Sequence, residues 1–188
     1  MNAREFLELK NQLPALRRQL VDSSHGRIPK SVEHLERSIS SAASRDDKAA
    51  LYGLILSECS YFRNEDLTVH FLRQQVRDLP DDPFSLTSLA TDLVRNETTR
   101  GEALALVAQA VALAKKQKRQ VKYSLTCQAR IALEVEDYGV FSKALRGLIE
   151  DAKNHRAEDH GFEFDFLDRA DPGKVDQTLV SRYRALAP

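Results

Sequence analysis

Leu79–Lys116, LPDDPFSLTSLATDLVRNETTRGEALALVAQAVALAKK, decides how the rest of this chain is read. Leu86, Leu89 and Ala90 recur at helical spacing, and a second helical run follows from Glu102 to Ala114. Only a short polar turn separates the two, so they are expected to lie antiparallel. The segments on both sides read as weaker copies of this hairpin. An all-α array of helical hairpins follows from that repetition.

Bulk composition agrees. The 188 residues suffice for one domain or a short repeat array. With 42% hydrophobic and 30% charged residues, the chain is too apolar to be disordered. Glycine and proline number only 7 and 6, which favours helix. The 28 basic residues balance the 28 acidic ones, so nucleic acid is not the expected partner. Two cysteines, Cys59 and Cys127, cannot make a disulfide framework. The N-terminal MNAREFLELK carries charge where a signal peptide has an apolar core, and no apolar run approaches the ~20 residues needed to span a bilayer. A cytoplasmic protein with no membrane association is expected.

Between Asn2 and Val21, Phe6, Leu9, Leu13, Leu16 and Leu20 step by three and four, a heptad seam. Pro14 within it predicts a kink, or a break that opens a second short helix. The seam is a candidate homo-oligomer interface or the packing face of an ordinary helix. Ser23-Ser24-His25-Gly26 reads as the helix stop, with Gly26 as a left-handed cap. Val32, Leu35 and Ile39 mark a second helix, completing an N-terminal hairpin over residues 1–45. Arg45-Asp46-Asp47 supplies an N-cap aspartate for a helix reaching Tyr61, and Asn64 or Asp66 caps the next, which ends at Leu79-Pro80.

The central stretch resembles a tetratricopeptide repeat. Leu86, Leu89 and Ala90 match the first helix of that repeat, and Ala103, Val107 and Ala110 match the second with the right steps of four and three. Pro80 matches the closing proline of the preceding unit. The flanking units, led by Leu51 and Leu125, lie at intervals of 35 and 39 residues from Leu86 and lack most of the signature small residues. The resemblance implies three degenerate hairpins over residues 46–154 in a right-handed superhelix. With the ends included, about nine helices in a single domain are expected. Glu102–Ala114 is apolar or alanine on nearly every face, which predicts a helix buried on both sides.

Residues 155–188 differ in texture. Phe162, Phe164 and Phe166 alternate with Glu163 and Asp165, which predicts an extended acidic, aromatic arm docked on the repeat core or on a second copy. Asp171-Pro172-Gly173 marks a turn, and Val175 to about Leu186 a capping helix.

No residues assemble into a recognised catalytic motif, and neither a cofactor nor a metal is expected. His155 and His160 near Asp159, Glu163, Asp165 and Asp168 fit no ligand spacing, and an acidic tail is the plainer reading. None of the five histidines forms an i, i+4 pair. Lys115, Lys116, Lys118, Arg119 and Lys122 form a basic cluster, read as charge at a helix C-terminus before phosphate contacts are invoked.

The resemblance implies a concave groove lined by the first helix of each repeat, which takes a peptide or partner helix. The groove candidates are Tyr52, Leu56, Phe84, Thr91, Arg95, Tyr123 and Arg130. The Lys/Asn carboxylate clamp of chaperone-binding members is absent, so chaperone tails are not the expected ligands. A non-catalytic protein-interaction module is the leading expectation. The alternatives are a structural homo-oligomer built on the heptad seam and the phenylalanine arm, and a regulatory domain that contacts nucleic acid through Lys115–Lys122.

Overall fold

The computed structural model describes residues 3–154 and 163–186. Among these are nine α-helices and one two-stranded sheet, so the chain is all-α, as its periodicity predicts. The chain folds into two compact units, Met1–Pro80 and Asp81–Pro188, where the sequence suggests one domain. The buried side chains separate the same way, one cluster running from Leu13 to Leu79 and the other from Val111 to Tyr183. The boundary falls in Leu79-Pro80-Asp81-Asp82-Pro83, where two prolines and two N-cap-type residues punctuate the backbone.

In the first unit, α1 spans Ala3–Leu16 and runs through Pro14 with no second helix beyond it. The expected seam therefore ends at Leu16. Leu20 instead begins β1, Leu20–Ser23, which pairs antiparallel with β2, Gly26–Pro29. Gly26 does adopt the positive φ of 86° anticipated for it, but it closes a hairpin rather than a helix. The helix α2, Lys30–Ser41, buries Val32, Leu35 and Ile39 on one stripe. Ser44 caps α3, Arg45–Tyr61, by accepting from the amide of Asp47, so the aspartates supply first-turn charge instead of the cap. Asn64 caps α4, Glu65–Asp78, by accepting from the amide of Leu67.

The second unit opens with α5, Pro83–Leu93, capped by Asp82, whose carboxylate accepts from the Ser85 amide at 2.9 Å and the Ser85 hydroxyl at 2.6 Å. The following helices are α6, Arg100–Gln117, α7, Val121–Glu134, and α8, Tyr138–Asn154. Only one stripe of α6 is buried: Ala103, Val107, Ala110, Val111 and Ala114. Ala105, Ala108 and Ala112 are exposed, which corrects the expectation of burial on both sides. Alanine is a strong helix former that costs little on a wet face, so an alanine-rich helix need not be enclosed. On α8, Gly147 lets Leu125 of α7 come so close that an added Cβ would lie 3.0 Å from its Cδ2.

Two hairpins close alike. Arg63 and Glu136 take left-handed φ values of 50° and 57°, and the next residue donates back to the carbonyl five positions earlier, Asn64 to Cys59 and Asp137 to Ala132. Asn64 and Asp137 then serve as N-cap acceptors for α4 and α8. One backbone solution thus serves two dissimilar sequences.

Beyond α8, Asp165–Arg169 forms a 3-10 turn, not the extended arm its alternation suggests. Phe166 and Leu167 are buried by it, and Phe164 packs partly buried against Tyr183 at 5.2 Å between centroids. Asp171-Pro172-Gly173 makes the anticipated turn, closed by the Lys174 amide on the Asp171 carbonyl. The last helix, α9, is Gln177–Arg184, shorter at both ends than its apolar pattern suggests, with Asp176 as its cap. Its Leu179, Val180 and Tyr183 join the core of the second unit.

Candidate functional site

The candidate surface with geometry of its own is the face shared by α5 and α7 in the second unit. Phe84 and Tyr123 sit at its head with rings stacked, centroids 5.6 Å apart at 23°. They keep 44% and 41% of their surface exposed, against the burial usual for such rings. Phe84 owes its position to the first turn of α5, which Pro83 and the Asp82 cap hold in place. Tyr123 enters on the first turn of α7, after two left-handed residues, Lys118 and Gln120, that turn the chain from α6.

The middle of the face is polar. Ser88 and Cys127 lie beside the Tyr123 side chain, and Thr91 lies beside Cys127. Burial, with Cys127 alongside, pushes the Tyr123 phenol up to about 12. Burial likewise raises the Cys127 thiol. Cys59, in the first unit, is pushed up to about 12 by burial and the adjacent Glu58. Neither cysteine is therefore poised as a thiolate at neutral pH. Thr91 is exposed but ties its hydroxyl to the Thr87 carbonyl at 2.9 Å. Arg95 reaches back to Asp92 at 3.4 Å.

The foot of the face is charged and covered by the chain itself. Arg130 meets Asp165 at 2.8 and 3.1 Å and Glu163 at 2.8 Å, and its guanidinium carbon lies 5.9 Å from the Phe166 ring centroid. Arg169 pairs with Glu134 one turn further along α7. Arg130 holds the Asp165 carboxyl below its ordinary value, chiefly by the hydrogen bond. The Tyr183 hydroxyl donates to the Glu163 carbonyl at 3.1 Å and ties this segment to α9.

The other expected site residues fall elsewhere. Tyr52 is fully buried in the first unit and donates its hydroxyl to Asp78 at 2.8 Å, which corrects its assignment to a groove surface. A buried phenol needs such a partner, and Asp78 at the end of α4 provides it. Leu56, in the same unit, is half-buried against its core. Of the proposed oligomer seam, Leu13 is buried within its own chain, Phe6, Leu9 and Leu16 are half-buried, and Leu20 is exposed on β1 and off the helix. Phe166 is likewise spent inside its own unit. Phe162, His155, Asp159 and His160 lie outside the described residues. Lys115, Lys116, Lys118 and Arg119 are exposed at the end of α6 and in its loop. Burial lowers Lys122 against the pull of Glu163 and Asp151.

A second constellation had no signal in the sequence. His25 in the β1–β2 turn, Glu36 on α2 and His70 on α4 bring one potential ligand atom each within 4.8 Å of one another. Burial, followed by the neighbouring His25, lowers the pKa of His70. The three residues come from separate elements, so no spacing rule could have joined them.

No helix among the described residues is long and apolar enough to cross a membrane. Comparison of the chain with protein-family models, curated proteins and solved structures finds no match in any of the three.

Proposed function

We propose that this chain is a non-catalytic interaction module and that the α5/α7 face takes an extended segment of a protein partner. The observation that carries this reading is the half-exposed Phe84–Tyr123 stack. Two large rings left in water beside each other lose hydrophobic stabilisation that a partner side chain would restore, and aromatic residues are frequent interface anchors. Below them the polar side chains of Ser88, Thr91 and Arg95 recur at the spacing of one helix turn, and exchanging their intrachain bonds for a partner's would suit an extended peptide. A hairpin array with the first helix of each pair facing the ligand is also what the resemblance to tetratricopeptide repeats implies. A cytoplasmic setting, where both thiols stay reduced, suits the reading.

The test compares affinity capture by the wild-type chain with capture by a Phe84→Ala/Tyr123→Ala variant and by Leu7→Ala. Leu7 is also exposed but lies in the first unit, at 56% of its surface. A genuine partner is expected to survive Leu7→Ala and to lose at least about tenfold in affinity when both rings are removed, since each anchor carries roughly 1–2 kcal/mol or more. Partners that bind the double variant as well as wild type would sink the assignment of this face.

A further inference from the structure

We propose that His25, Glu36 and His70 form a binding site for a single borderline divalent cation of the Zn2+ class, with one coordination position left for water. The ligand set is two imidazoles and a carboxylate; Zn2+ and its neighbours take both donor types, whereas Mg2+ and Ca2+ take the oxygen but not the imidazoles.

The geometry is close to what an ion needs. His25 Nε2 lies 3.9 Å from Glu36 Oε1, and the two imidazole centroids are 3.7 Å apart at 68°. Metal–ligand distances of about 2.0–2.1 Å place tetrahedral donor atoms about 3.3 Å from one another. All three donors already lie within 4.8 Å of each other, so small rotations of side chains close the remaining gap.

His25 is held by the turn in which it sits. The backbone amide of His25 donates to Ser23 Oγ at 3.1 Å, and Ser23 Oγ donates to the Gly26 carbonyl at 3.2 Å, which fixes the hairpin turn. Ser24 Oγ sits 3.1 Å from His25 Nδ1. With the Nδ1 proton donated to that hydroxyl, the Nε2 lone pair is left facing Glu36, and metal-bound histidines are oriented in the same way through their other ring nitrogen. His70 stands on α4, and Phe71 lies 5.7 Å from the His25 ring and closes one side with an apolar wall. The side chains of His25 and Glu36 retain 14% and 24% exposure, which leaves a path for the ion. Three separate elements thus converge on one point, each delivering a single ligand.

The untagged full chain, stripped with a chelator, is to be titrated with Zn2+ by calorimetry, with Co2+ as the visible probe. One Zn2+ per chain is expected. Co2+ should give the intense absorption of a low-coordinate ion and paramagnetic shifts at His25 and His70. His25→Gln and His70→Gln should each weaken Zn2+ binding on the order of 100-fold or more, because even loss of a residue that only orients a ligand costs about 10–100-fold. Glu36→Gln should weaken it less, and a His155→Gln/His160→Gln variant should leave it unchanged. Circular dichroism in chelator checks that each variant folds. Should His70→Gln unfold, the wild-type paramagnetic shifts and His25→Gln, a turn substitution, still decide the matter. The proposal is overturned by absence of saturable Zn2+ binding, by Co2+ shifts that miss both histidines, by loss of binding in the His155/His160 variant instead, or by Mg2+ competing at equal concentration.

Discussion

Replacing Phe166 with alanine is expected to destabilise the second unit by about 3–5 kcal/mol, the usual cost of emptying a phenylalanine site in a packed core. The ring is 1% exposed and meets Phe141 edge-on at 6.3 Å and Tyr183 at 6.0 Å between centroids. It is also the apolar anchor of the segment that carries Glu163 and Asp165 to Arg130. Those ion pairs are exposed, and pairs of that kind contribute little alone. The segment is therefore held mainly by Phe166 and Leu167, and the charges set its register. Urea denaturation of the variant measures the loss. A shift worth less than about 1 kcal/mol would mean that the ring is dispensable to the core, contrary to its burial.

Arg17→Ala should cost about 3 kcal/mol, and more than Glu58→Ala, although the two substitutions break the same ion pair. The asymmetry comes from burial: the Glu58 side chain is 2% exposed and that of Arg17 31%. Arg17 gives Glu58 a forked contact, Nη2 to Oε1 at 2.8 Å and Nε to the two oxygens at 3.2 and 3.1 Å. Without it, a carboxylate on α3 is left in the core with its charge uncompensated. Without Glu58, the guanidinium still lies 4.3 Å from the Tyr61 ring centroid and can turn to water. Denaturation of both variants at neutral pH decides the order. Equal costs, or the reverse order, would show that the desolvated carboxylate is not what the pair relieves.

The helices are legible in the sequence because they repeat apolar residues on one stripe and carry polar caps, signals that act over a few residues. What escapes is set over longer distances. Ser23-Ser24-His25-Gly26 has the chemistry of a helix stop and of a hairpin turn alike; the pairing of Leu20 with Pro29 decides between them. Tyr52 is at home on a partner surface or in a core, and Asp78, 26 residues on, supplies the buried acceptor that selects the core. The Phe162–Phe166 alternation has the period of a strand, and with no partner strand in the sequence it reads as an extended arm. In the fold, Phe166 buries and the backbone coils into a 3-10 turn, because helices and not strands flank it. The resemblance to tetratricopeptide repeats implies Phe84, Thr91, Arg95, Tyr123 and Arg130 as groove positions, and these fall on or just after α5 and on α7. That the chain's own Phe162–Phe166 arm could fill the groove is one of the readings the sequence leaves open, but the pairing of Arg130 with Asp165, 35 positions later, leaves no local trace.

The return of residues 163–169 to α7 also adds to the chain-entropy cost of closing the second unit. The helices α5, α6, α7 and α8 pack on their immediate sequence neighbours, so each closure spans a short loop and costs little chain entropy. The acidic segment must come back across 35 residues before Arg130 can pair with Asp165. Closing a loop of that length costs more chain entropy than closing the short turns between the helices. Phe166 and Leu167 of the same segment lie in the core with α8 and α9, so Arg130 is bared only when that part of the core opens with it.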